Sequence, residues 1–135
     1  MSGSFLDTNV LIYAASSDVT KAAKADALIA AGGVISVQVL NEFVNVSQGK
    51  LKRPWSETRG YLNAVRHLLK VSPLTIDVHD KAVSLAERYT LHIYDAMIAA
   101  SALSANCATL YSEDMHDGLL IEGRLRVTNP FRVVS

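Results

Sequence analysis

Apolar residues along this chain change their spacing repeatedly, and each change marks an element. "SFLD" is a short apolar run ending at Asp7, read as a first strand, and "TNVLIYAAS" then carries helical spacing. "VTKAAKADALIAA" is an alanine-rich helix halted by Gly32 and Gly33, which can take the left-handed conformation common at helix ends. "VIS" is a second strand. Ser36 can cap the helix "VQVLNEFVNVSQ", where Val37, Leu40 and Val44 line one side, Val39, Phe43 and Val46 widen the apolar arc, and Glu42 falls at its margin.

After the loop "GKLKRPW", Ser56 and Glu57 open a helix whose Leu62, Val65, Leu68 and Leu69 face inward, ending before Pro73. "LTI" is expected to be a third strand. Asp77 is expected to cap the next helix, which carries Ala82, Leu85, Ala86 and Tyr89 at helical spacing. A short extended piece, "LHIY", leads to "DAMIAASALSAN", a helix with Asp95 at its N-terminus and small or apolar residues on all sides, as in a helix enclosed by neighbours. "CATLYS" is the fourth strand, and "LRVTNPFRVV" is expected to add an edge strand.

Short β-rich runs alternating with helices predict an α/β fold, a three-layer α/β/α sandwich around a mainly parallel sheet. At 135 residues, half of them hydrophobic, residues 1–135 are expected to form one domain with a sizeable core. Lys plus Arg and Asp plus Glu both number 13, so attraction to nucleic acid or membrane must come from a local patch. One cysteine, Cys107, forms no internal disulfide, and no Cys/His spacing suits zinc. With no signal-like segment and no apolar run of the roughly 20 residues that span a bilayer, a soluble cytoplasmic protein is expected, with no membrane partner.

The acidic residues alter the picture most. In a parallel sheet, residues just beyond the strand ends share one edge of the molecule. Asp7 and Asp114 follow predicted strands, Asp95 follows the extended piece, and Glu42 lies early in the helix after the second strand. Singly, Asp7 and Asp95 read as helix caps, Glu42 as a solvated helix residue, and Asp114 and Asp117 as turn formers ahead of Gly118. Jointly they crowd negative charge: two carboxylates about 5 Å apart repel by roughly 3 kcal/mol at an effective dielectric near 20. Protonation or a divalent cation relieves this, and oxygen ligands favour Mg²⁺ or Mn²⁺ over zinc. Carboxylate-held Mg²⁺ is suited to phosphodiester chemistry.

Three segments in order, "FLDTNVLIYA", "SVQVLNEFVN" and "IYDAMIAASALSANCATLYSEDM", followed by "VTNPF", resemble a PIN-domain ribonuclease of the VapC toxin type. The resemblance spans nearly the whole chain. It implies a Mg²⁺- or Mn²⁺-dependent endoribonuclease that leaves a 5′-phosphate and a 3′-hydroxyl, a homodimer, and a small VapB-type antitoxin partner. Asp7, Glu42, Asp95 and Asp114 then become the catalytic and metal-binding set, with Glu42 as ligand or base. Thr8 and Ser112 become supporting hydroxyls, Asn9 belongs to the first motif, and Asp117 is an auxiliary acid.

Basic residues gather between positions 50 and 70 as Lys50, Lys52, Arg53, Arg59, Arg66 and Lys70, opposed by Glu57. Lys50, Lys52, Arg53 and Arg59 are the candidate RNA contacts. Trp55 and Tyr61 are candidates to stack on an unpaired base, the alternative for Trp55 being a place in the core. Three other functions fit parts of the pattern: a haloacid-dehalogenase-like phosphatase, an RNA-maturation nuclease without an antitoxin, and a non-catalytic RNA-binding module. The phosphatase needs a second acid where this chain has Asn9.

Overall fold

The computed structural model describes residues 3–132. Its elements run β1 (Gly3–Leu6), α1 (Thr8–Ala14), α2 (Val19–Ala30), β2 (Val34–Ser36), α3 (Val37–Gln48), α4 (Trp55–Leu68), β3 (Lys70–Ser72), α5 (Ile76–Tyr89), α6 (Ile93–Ser104), β4 (Cys107–Tyr111), β5 (Leu120–Ile121) and β6 (Leu125–Thr128). The strands form one sheet in the order β3-β2-β1-β4-β6-β5, parallel throughout except for β5 against β6. The expected α/β fold with a mainly parallel sheet is what forms.

Strand order makes the architecture doubly wound. The chain steps outward from β1 to β2 to β3, then returns across β1 to place β4 on its other side. Right-handed crossovers therefore put α1 to α4 on one face and α5 and α6 on the other. The reversal between β1 and β4 opens a crevice beyond their carboxyl ends, where sheets of this kind bind ligands.

Phe5, Leu6, Ile35, Leu110 and Val127 are fully buried between these layers. On α6, Ala96 and every residue from Ile98 to Leu103 are buried, and the small side chains let the neighbours approach closely. Gly32 takes the left-handed conformation (φ 84°) after α2. Gly33 serves differently: a Cβ there would lie 3.0 Å from the Ser4 carbonyl oxygen, so bare backbone is needed where β2 meets β1.

Several boundaries depart from the sequence reading. The third strand is Lys70–Ser72 and not "LTI", because β2 pairs Val34 with Lys70 and Ile35 with Val71. Thr75 starts α5 instead, its hydroxyl accepting from Val78 N–H at 3.2 Å, which leaves Asp77 in the first turn and not at the cap. The last strand is no edge: β6 lies between β4 and β5, and the edge is the short β5. A turn in which Glu122 and Gly123 take positive φ (53° and 69°) reverses β5 into β6, and the sequence reading found neither. Leu68, expected inside, is exposed, whereas Leu69 is buried. Val133 and Val134 of "LRVTNPFRVV" lie outside the described residues. No helix among the described residues is long and apolar enough to cross a membrane.

Candidate metal centre at the carboxyl edge of the sheet

Register between β1 and β4 pairs Leu6 with Tyr111, so the next residues, Asp7 and Ser112, emerge side by side. Asp7 caps α1, as its local sequence suggests, accepting from Thr8 N–H at 2.7 Å through Oδ1. Its other oxygen, Oδ2, accepts from the Ser112 hydroxyl at 2.7 Å. Ser112 is itself fully buried, and its backbone N–H donates to Thr128 of β6 at 3.0 Å. One carboxylate thus fastens a helix start to two strand ends. Burial pushes Asp7 up to about 6, against the hydrogen bonds from Ser112 and Thr8, and the charges of Glu42 and Asp114 push the same way.

Glu42 sits on α3 one turn beyond Gln38, whose amide donates to Glu42 Oε1 at 3.3 Å. Its pKa is raised by burial and by the charges of Asp95 and Asp114, against hydrogen bonding that favours the ionised form. Asp95 is raised by burial and by Asp114, and His92 opposes this. Asp95 is the third residue of α6, not its cap: Ile93 and Tyr94 are helical, and His92 is the cap, its Nδ1 accepting from Tyr94 N–H at 3.3 Å. Asn9 ties the first motif to the acidic turn. Its Nδ2 donates to Asp114 Oδ2 at 3.3 Å, and its Oδ1 accepts from Glu113 N–H at 3.2 Å. The structure therefore brings Asp114 within electrostatic reach of Asp7, Glu42 and Asp95, and Glu42 within reach of Asp7 and Asp95, with Thr8, Asn9 and Ser112 beside them.

Asp117 lies apart. Its Oδ1 accepts from Asn129 N–H and its Oδ2 from Arg132, both at 2.8 Å, and these contacts hold its pKa down. Asp117, expected as an auxiliary acid, is tied in this structure to Asn129 and Arg132. Glu113 is also engaged elsewhere, with Lys21 and Tyr13.

The basic segment divides. Arg53 donates to the Ala15 carbonyl at 2.9 Å and pairs with Glu57 at 3.5 Å, its side chain only 12 % exposed, so it braces the loop and is not free to contact phosphate. That loop rests at the C-terminal end of α1, roughly 10 Å of helix from the cap at Asp7. Lys50, Lys52 and Arg59 are exposed. Trp55 is 56 % exposed and not in the core, while Tyr61 is half-buried, packed edge-on to Phe43 and under Arg53.

The donor set suits a hard divalent cation. All its atoms are oxygens, and no Lys or Arg contributes to the raised carboxylates. The Thr8 hydroxyl supports Glu42 electrostatically, yet Thr8 Oγ1 is buried and meets no atom at hydrogen-bond geometry. Among the described residues, no three His, Cys, Asp or Glu side chains are gathered tightly enough to hold an ion by direct contact. Mg²⁺ keeps several waters and takes one or two carboxylates directly, so it does not require three in contact.

Fold and site together describe an α/β protein with an acidic pocket at the switch point of its sheet. A model of the PIN domain family matches residues 4–116, and the chain belongs to that family. No curated protein matches the sequence. Among solved structures, it is similar to a toxin–antitoxin complex from Klebsiella pneumoniae at 23% identity and TM-score 0.73, covering 96% of this chain and 99% of that one. It is similar also to Mycobacterium tuberculosis VapC20, described as a sarcin–ricin loop cleaving toxin, at 18% identity and TM-score 0.66, covering 82% and 89%. FitAcB from Neisseria gonorrhoeae gives 19% identity and TM-score 0.65, covering 96% and 99%.

Proposed function

We propose that this chain is a Mg²⁺- or Mn²⁺-dependent endoribonuclease of the VapC type, a homodimeric cytoplasmic toxin restrained by a small VapB-type antitoxin. The observation that carries the chemistry is the placement of Asp7, Glu42, Asp95 and Asp114 about the crevice beyond β1 and β4, where burial and their shared negative charge raise Asp7, Glu42 and Asp95 together. Such a group is most stable with a cation among its oxygens. Support for the toxin role comes from the toxin and toxin–antitoxin structures that the fold resembles. Membership of the PIN family disfavours the phosphatase reading. We read residues 1–135 as one domain: the family match ends at 116, yet β6 pairs with β4 inside the sheet.

Asp7, Asp95 and Asp114 would hold the ion, directly or through its waters. When bound, it polarises water for attack and offsets charge on the phosphoryl oxygens. Ser112 and Thr8 N–H fix both oxygens of Asp7, and Asn9 steadies Asp114. Gln38 holds one oxygen of Glu42, leaving the other to take the proton from the attacking water as its OH joins phosphorus. The P–O3′ bond breaks and O3′ takes up a proton from solvent water, giving a 5′-phosphate and a 3′-hydroxyl. Incubating purified protein with cellular RNA and sequencing the new 5′ ends tests this. Cleavage is expected with Mg²⁺ or Mn²⁺, and not with chelator or with Asp7→Asn. Expression of the wild-type chain is expected to arrest growth, and that of Asp7→Asn to permit it. Chelator-resistant cleavage by Asp7→Asn would defeat the assignment.

A further inference from the structure

Beside Glu42 the acidic group opens into a cleft of about 400 Å³ bounded by Gln38, Asn41, Asn45 and Tyr94. Tyr94 is 55 % exposed although it adjoins Asp95, and its ring lies 5.4 Å from that of His92, tilted by 35°. Tyr94 thus presents an exposed flat side chain at the pocket's rim. Asn41 and Asn45 stand one helical turn apart on α3, both exposed, and no hydrogen bond ties either amide to another described residue. A second cleft, about 330 Å³, shares Asn41 and continues between α3 and α4, where it is lined by Arg59 and Arg66. Neither guanidinium forms an ion pair among the described residues.

We infer that the two clefts form one track for single-stranded RNA: an unpaired base stacks on Tyr94 and is read by the amides of Asn41 and Asn45, and the adjoining phosphates rest on Arg59 and Arg66. The inference rests on the ribonuclease reading and adds the binding surface that reading lacks. An aromatic face accepts any base, while an amide presents a donor and an acceptor together, which distinguishes base edges. A duplex hides its base faces, so a stacking shelf selects single strands. Charge sets the direction. The guanidiniums at the far end attract phosphate directly, whereas at the Glu42 end phosphate is drawn in only with the cation that the ribonuclease reading places there.

The test measures binding of fluorescein-labelled single-stranded homopolymers of U, C, A and G by fluorescence anisotropy, in the Asp7→Asn protein so that the probes survive. Tyr94→Ala is expected to weaken the tightest complex about tenfold, and Tyr94→Phe to stay within about twofold. Asn41→Ala with Asn45→Ala should narrow the spread among the four homopolymers. Arg59→Ala with Arg66→Ala should weaken all four alike and flatten the slope of log affinity on log salt by about 1.4, the release of two phosphate contacts. Thermal melts establish that each variant is folded. Unchanged binding and unchanged preference in the Tyr94 and Asn41/Asn45 variants overturn the track. So does a change of oligomeric state with binding per protomer unaltered, which assigns the face to a second copy of the chain. If the wild type cuts RNA, Asp7→Asn does not, and Tyr94→Ala binds as before, the track alone fails. If Tyr94→Ala loses binding yet the wild type never cuts, the ribonuclease reading alone fails.

Discussion

Two groups of carboxylates border the carboxyl edge of the sheet, and burial acts upward on members of both. In the crevice between β1 and β4, Asp7, Glu42 and Asp95 are raised, and their neighbours add further negative charge. On the adjoining shoulder, burial pushes Glu113 up, but hydrogen bonds from Lys21 and Tyr13 and the Lys21 charge more than offset it. Asp117 is held down by Asn129 N–H and Arg132. Glu113 and Asp114 are consecutive, yet the first belongs to a structural network and the second to the crevice. Neutralisation by the protein's own cations is what separates an anchor from a group that still needs one.

The largest expected effect breaks or secures that division. Asp7→Asn, Asp95→Asn or Asp114→Asn should each lower RNA cleavage by about 10²–10³-fold, while Glu113→Gln leaves it within about twofold. Equal losses in both groups would dissolve the contrast.

Next is stability without divalent ions. Below about pH 4 Asp7 is protonated in the folded and unfolded chain alike. Between about 4 and 6 the folded protein keeps a proton that the unfolded chain has released, so stability falls as pH rises, and above 6 the whole difference is lost. Asp7→Asn removes this dependence and should stabilise the chelated protein at pH 7 by up to about 3 kcal/mol, with no gain at pH 4. Denaturant titrations at the two pH values measure it, and an Asp7→Asn protein weaker than wild type at pH 7 would contradict it.

Added Mg²⁺ or Mn²⁺ should offset most of that difference, stabilising wild type by about 2.7 kcal/mol at a hundred times its Kd. Asp95→Asn should show a much smaller response in the same melts. On the shoulder, Glu113→Gln should cost at most about 1 kcal/mol after solvent screening, insensitive to divalent ions. Asp117→Asn should have the smallest effect, leaving cleavage and metal response unchanged. A metal-dependent shift there would move Asp117 into the crevice.

What the sequence made readable was whatever depends on near neighbours. Periodicity and caps located α1, α2, α3 and α6 and four of the strands closely, since spacing of apolar side chains and a capping oxygen act within a turn or two. The grouping of Asp7, Glu42 and Asp114 followed from one rule, that parallel strands end at a common edge, whereas Asp95 joined them on the expectation of an extended "LHIY" whose last two residues in fact open α6. Gln38 was also within reach, four residues before Glu42, and went unnoticed.

Tertiary structure decided what depends on partners distant along the chain. "KVS" became β3 over "LTI" because β2 was there to pair with it, and Arg53 became a brace because Ala15 presents a carbonyl to it. Ser112 and Asp7, 105 positions apart, meet only through strand register, as Asp117 meets Arg132 only once β6 is in place. Tyr94 stands in the first turn of α6 beside the acidic pocket because the helix begins at Ile93, earlier than its sequence suggested. Local pattern fixes how a segment folds and which edge it reaches. Whether a charge there finds an opposite charge is settled by packing, because electrostatic interaction depends on distance in space and solvent exclusion, neither of which a linear order contains.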